Sequence, residues 1–134
     1  MKKLTFSFFL FVMVFFLVGC ELPDIALVPE EHGNILHGNI TADKVITVSN
    51  QEGTLTCSGK YQLTKNPSGC IGKEGGINFK CSDGSIIEAK AKSTSCETAE
   101  GVALDSSGIK FNMYIDKKEI IAKKIHEFNQ SQKP

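Results

Sequence analysis

The chain contains no arginine and no tryptophan. All fifteen basic residues are lysines, so the planar guanidinium fork that grips carboxylate or phosphate with two bonds is excluded. Without tryptophan, the residue most often used as a buried binding anchor is missing too. Fifteen basic residues meet fifteen acidic ones for a formal net charge of zero. The basic surplus that draws a protein to nucleic acid is therefore absent, and no nucleic-acid partner is expected. Catalytic signatures are lacking as well: there is no G-x-S-x-G, no H-E-x-x-H and no Walker loop. The glycine-rich stretches "KEGGIN" and "SGCIGKEGG" do not lead from a strand into a helix, so they read as turns rather than phosphate cradles. No two cysteines form a C-x-x-C pair, which removes the usual zinc and thiol-redox spacings. No catalytic residue, metal or cofactor is expected, and the chain does not read as an enzyme.

What is present begins with the leader, "MKKLTFSFFLFVMVFFLVGC". Lys2 and Lys3 form a short positive start, and Leu4 to Val18 is an apolar run of about fifteen residues. A spanning helix needs about twenty, so the run reads as a signal peptide over residues 1–19. From Cys20 onward no apolar run approaches that length. Without Lys2 and Lys3, thirteen lysines face fifteen carboxylates.

The run ends in Leu17-Val18-Gly19-Cys20, which resembles the lipobox of bacterial lipoproteins. The resemblance implies a diacylglyceryl group on the Cys20 sulfur and cleavage just before Cys20. It further implies acylation, typically with palmitate, of the new amino group. One acyl chain binds a membrane only marginally, whereas two or three hold nearly permanently. The implied partner is thus a membrane, reached through the lipid on Cys20, together with a candidate protein partner in the envelope. Because Glu21 rather than Asp follows the cysteine, the same likeness favours the periplasmic face of the outer membrane over the inner membrane.

Four cysteines remain, Cys57, Cys70, Cys81 and Cys96, an even number in a short exported chain. They read as two disulfides, and four cysteines allow three pairings. Strand patterning chooses among them. In "GTLTCSGKYQL" Leu55, Cys57, Tyr61 and Leu63 share one face, and in "INFKCSDG" Ile77, Phe79 and Cys81 do. Antiparallel pairing of these strands would bring Cys57 to Cys81 and leave Cys70 for Cys96.

Residues 20–50 carry Pro23, Pro29, two glycines and several acids with poor periodicity, and read as a lipid-anchored flexible tether. Within them "KVITVSN" is a weak strand signal. Residues 51–115 read as the disulfide-bonded β domain. After the Asp83-Gly84 turn, "SIIEAKAK" points Ile87, Ala89 and Ala91 inward, "GVALD" is short and apolar, and "IKFNMYI" points Ile109, Phe111, Met113 and Ile115 inward. The fold class expected is mainly β: a small disulfide-stapled antiparallel meander or partly open barrel of about five strands. The stretch from "TCSGKY" through "FKCSDGSIIEAK" to "GVALDSSGIKFNMYI" also resembles a loose set of small exported bacterial β proteins, a likeness that implies a fold and no activity. Residues 116–134 change period. Asp116 with Glu119 has the spacing of a capping box, and Ile121, Ile125 and Phe128 share one face of a C-terminal amphipathic helix of about three turns.

The remaining chemistry-bearing residues are sparse. His32 and His37 in "HGNILHGNI" lie near Glu30 and Glu31, but a five-residue spacing fits neither a helical nor a strand face, so they read as surface residues. His126 is expected to be exposed on the helix, and Asp83 and Asp105 occupy turns. The function expected is that of a membrane-anchored envelope lipoprotein, a non-enzymatic binding or structural module. An inhibitor of lysozyme or a protease, and an accessory lipoprotein of a secretion, pilus or transfer system, are the alternatives.

Overall fold

A computed structural model describes residues 22–41 and 43–133. The leader, the lipobox and Cys20 lie outside the described residues. Eight strands follow in order: β1 Asp24–Pro29, β2 Leu36–Ile40, β3 Val45–Ser49, β4 Thr56–Lys65, β5 Glu74–Cys81, β6 Ile86–Ser93, β7 Ala99–Asp105 and β8 Lys110–Asp116. A helix, α1, spans Lys118–Ser131. Each strand pairs antiparallel with its neighbour in sequence, and β1 closes on β8 with Asp24 opposite Asp116 and Leu27 opposite Met113. The sheet is thus a closed up-and-down barrel of eight strands rather than a partly open one of about five.

The barrel corrects the reading of residues 20–50 as a tether, because positions 24–49 supply three of its strands. In β1, Ile25, Ala26 and Leu27 are all fully buried. Ile25 and Leu27 point into the barrel, and Ala26 lies outside it beneath α1, which packs on β1 and β8. A strand covered on both faces has no polar alternation to betray it. In β2 the inward positions are Leu36, Gly38 and Ile40. A Cβ on Gly38 would stand 1.7 Å from the Thr47 carbonyl oxygen on β3, so this close approach admits only glycine. The glycine blanks the middle of the strand's apolar face.

The interior is filled in rings, as expected for eight strands, where the bore is just wide enough for side chains. Ile77, Ala89, Ala103 and Phe111 stand side by side across β5 to β8, and Gly75, Ala91, Gly101 and Met113 form the next ring. Small residues on β6 and β7 leave room for Phe79, Phe111 and Met113. Tyr61 lies over Gly75, where an added Cβ would stand 2.3 Å from its ring. Outside, β4 to β6 present Ser58, Lys60, Gln62, Asn78, Lys80, Glu88, Lys90 and Lys92. A barrel that crosses a membrane with its strands shows the reverse, apolar outside and polar inside. Among the described residues no helix is long and apolar enough to cross a membrane.

The two ends of the barrel differ. The upper end holds the turns 30–35, 50–55, 82–85 and 106–109. At the lower end β1 starts, and with it lie the β2–β3 turn (41–44), the β4–β5 loop (66–73), the β6–β7 loop (94–98) and the junction of β8 with α1. Asn50 closes the upper end: its Oδ1 accepts from the Leu55 amide at 3.1 Å and its Nδ2 donates to Thr54 Oγ1 at 2.8 Å. It is the buried polar side chain of the described core, and it is satisfied.

The helix differs from expectation at its start. Its N-cap is Lys117, and no side chain caps it. Asp116 belongs to β8, where pairing with Asp24 holds it, and its Oδ1 accepts from the Lys117 amide at 2.7 Å. Strand pairing has taken the residue that the capping box needed. Of the expected apolar face, Ile121 is fully buried while Ile125 and Phe128 are half-buried. Lys124 Nζ sits 4.2 Å from the centre of the Tyr114 ring on β8, a cation–π contact that fastens the helix to the wall.

Candidate functional site

Both disulfides join residues that the strands place together. Cys57 and Cys81 are directly opposite in the β4–β5 register. Cys70 and Cys96 join the β4–β5 loop to the β6–β7 loop at the lower end. The bonds close loops of 24 and 26 residues, each worth about 3 kcal/mol in the chain-entropy account. Around the second bond, Ser93 acts as a clip: its Oγ accepts from the Lys73 amide at 2.8 Å and donates to the Cys70 carbonyl.

The histidines lie apart. His37 faces outward on β2, with Nε2 3.1 Å from Asp24 Oδ2. His32 lies in the β1–β2 turn, with Nδ1 3.2 Å from Gln132 Oε1, and Gln132 Nε2 donates to the Glu31 carbonyl at 3.4 Å. These contacts tie the helix end back to the upper turns. His126 is exposed on α1. Among the described residues, no three His, Cys, Asp or Glu side chains gather as a metal site would require.

Asp83 and Asp105 each organise their own turn. Asp83 Oδ1 accepts from the Ser85 amide at 2.9 Å and from the Ser85 hydroxyl. These bonds, the hydroxyl first, hold the Asp83 carboxyl below its ordinary range. Asp105 Oδ1 accepts from the amides of Ser107 and Ile109, both at 2.9 Å. Both carboxylates are occupied by turn hydrogen bonds. Inside the barrel, burial pushes the Tyr61 phenol above its usual value.

A broad concavity lies on the outer wall, a groove of about 1440 Å³ running across β4 to β8. Three cross-strand rows build it. Gln62, Gly76, Lys90 and Val102 form one, with Gly76 leaving a dip between two long polar side chains. Asn78, Glu88, Leu104 and Lys110 form the second. In the third, Glu74, Lys92 and Glu100 alternate in sign, and Lys65 opposite Glu74 continues the row beyond the groove. Opposite charges face each other across neighbouring strands there, which helps fix register. The Lys65–Glu74 ion pair, at 3.3 Å, is largely exposed and contributes little to stability. Val102 and Leu104 form an exposed apolar strip within the groove, 57% and 48% exposed. The groove can hold a polar partner through amide, ammonium and carboxylate groups around that strip. It contains no serine, threonine or cysteine beside a histidine base.

The strip was not legible as a surface feature. "GVALD" reads only as a short apolar stretch, yet its inward residues are Gly101 and Ala103, the small ones, and a Cβ on Gly101 would stand 1.9 Å from the Lys90 carbonyl oxygen. The larger Val102 and Leu104 point out. The alternation itself was available as a signal, with small residues in and large ones out.

No protein-family model matches this chain, and neither a curated protein nor a solved structure does.

Proposed function

We propose that the protein is an exported lipoprotein, held on a bacterial envelope membrane by acyl chains on Cys20, and that its barrel is a non-enzymatic binding or structural module. The outer membrane's periplasmic face is the preferred location, from the Glu21 that follows the cysteine. The observation that carries the reading is the disposition of the four cysteines of the domain, all of which are in disulfides. Such bonds persist in oxidising compartments outside the cytosol, the destination that the leader also implies. Cys20 is then the one cysteine left for lipid. The filled interior supports a module that works through its exterior, for which the groove over β4 to β8 is the candidate surface. The charged outer wall supports anchoring by lipid rather than by strands that cross the bilayer.

Cells grown with labelled palmitate test the anchor. The wild-type protein is expected to carry label and to fractionate with membranes, and Cys20→Ala to lose both. Label retained by Cys20→Ala would contradict the proposal.

A further inference from the structure

The first barrel residue is Asp24, so only Glu21, Leu22 and Pro23 separate it from Cys20. Four Cα steps reach at most about 14 Å. If Cys20 carries the lipid, the lower end of the barrel is held against the membrane, with no room for the molecule to swing clear.

The surface chemistry of the two ends agrees with that orientation. At the upper end the turns carry Glu30, Glu31, Glu52 and Asp83 and no lysine, and Asp105 and Lys110 flank the last of them; Lys80 lies on the adjoining wall and Lys133 beyond the helix. At the lower end Lys44, Lys65, Lys73 and Lys117 come from four separate segments. Lys118 joins them, and Asp24, Asp43, Glu74, Glu97, Asp116 and Glu119 offset them, so this end is close to neutral while the upper turns are acidic. The lower end also exposes apolar side chains. Ile71, at the tip of the β4–β5 loop, is 71% exposed, and Leu22, just ahead of β1, is 52% exposed. The loop that carries Ile71 is held by the Cys70–Cys96 bond and the Ser93 clip. An exposed isoleucine on a fastened loop suits the boundary between phospholipid headgroups and acyl chains, where apolar side chains are buried and the long stems of lysines let their ammonium groups reach the headgroups.

We propose that the lower end is a membrane-docking surface for phospholipid, with Ile71 and Leu22 entering the interface and Lys44, Lys65, Lys73 and Lys117 lying at the level of the headgroups. The barrel stands on this end, the acidic turns face away from the membrane, and the groove lies on the wall between. The proposal rests on the lipid at Cys20, and its test separates the two.

The full-length protein, extracted from membranes and inserted into preformed vesicles, is labelled with an impermeant amine reagent and each lysine is read by mass spectrometry. In vesicles containing phosphatidylglycerol, labelling of Lys44, Lys65, Lys73 and Lys117 should fall at least threefold relative to detergent. Lys80, Lys110 and Lys133 should be unchanged. The variant Ile71→Ser/Lys65→Glu/Lys73→Glu should co-float with vesicles and show restored labelling at Lys44 and Lys117. Co-floating protein with equal labelling at both ends, or with protection along Lys80, Lys90 and Lys92 on the wall, would overturn the docking and leave the anchor standing. Protein that neither co-floats nor carries lipid would overturn both.

Discussion

Gly38 and Gly76 make a controlled pair of opposite meaning. Gly38 faces inward on β2, and an added methyl would meet the Thr47 carbonyl oxygen at 1.7 Å. The backbone of β3 would have to move. Gly76 faces outward on β5, and the nearest atom to an added methyl is the Ala89 carbonyl oxygen at 3.4 Å, ordinary contact. Gly38→Ala should therefore cost about 3 kcal/mol of unfolding stability in a urea titration, the upper range for overpacking. Gly76→Ala should stay within about 0.5 kcal/mol, as surface changes do. Equal effects at the two sites would mean that β2 and β3 do not approach as described. Lys44 is a further point of backbone tension, since its φ of 63° lies in the left-handed region that favours glycine. Lys44→Gly should gain about 1 kcal/mol in the same titration, and a loss of stability there would contradict that conformation.

At the scale of elements, α1 covers the seam where the barrel closes. It packs on β1 and β8, the first and last strands, through Ile121, which is fully buried. Ile121→Ala should cost about 3 kcal/mol, in the range for a buried large-to-small change. Ile120→Ala, at a position 41% exposed, should cost much less, and similar losses at the two positions would argue against this docking. The strands β4, β5, β6 and β8 were legible in the sequence because each has one wet face, so polar and apolar residues alternate at period two; β7, with Val102 and Leu104 outward, read only as a short apolar stretch. That alternation also placed Cys57 opposite Cys81. The first two strands were hidden for separate reasons. β1 is covered on both faces, and its Pro29 and neighbouring acids resemble a linker; β2 spends an inward position on glycine. The groove was equally hidden, since it arises from the order of strands across the sheet, which no single stretch of sequence encodes. Closure follows from the two hidden strands, because without β1 the last strand has an open edge. The capping box at Asp116 misled for a related reason, since closure recruits that residue into β8.

For the whole molecule, position and charge are coupled. A closed barrel has no free edge to add a strand from a partner, so recognition falls to its wall and its ends. The proposed anchor would fix the lower end at the membrane, the disulfide beside it would stiffen that end, and the acidic upper end would face the opposite way. In this account one lipid and two disulfides use all five cysteines. Intact-mass measurement of protein extracted from the envelope and alkylated without prior reduction tests that allocation most directly. The predicted mass is that of a chain starting at Cys20 with diacylglycerol and an N-acyl group, two disulfides and no alkyl adduct. A chain that retains Leu17-Val18-Gly19, an alkylated Cys20, or alkylation at any of Cys57, Cys70, Cys81 and Cys96 would contradict it.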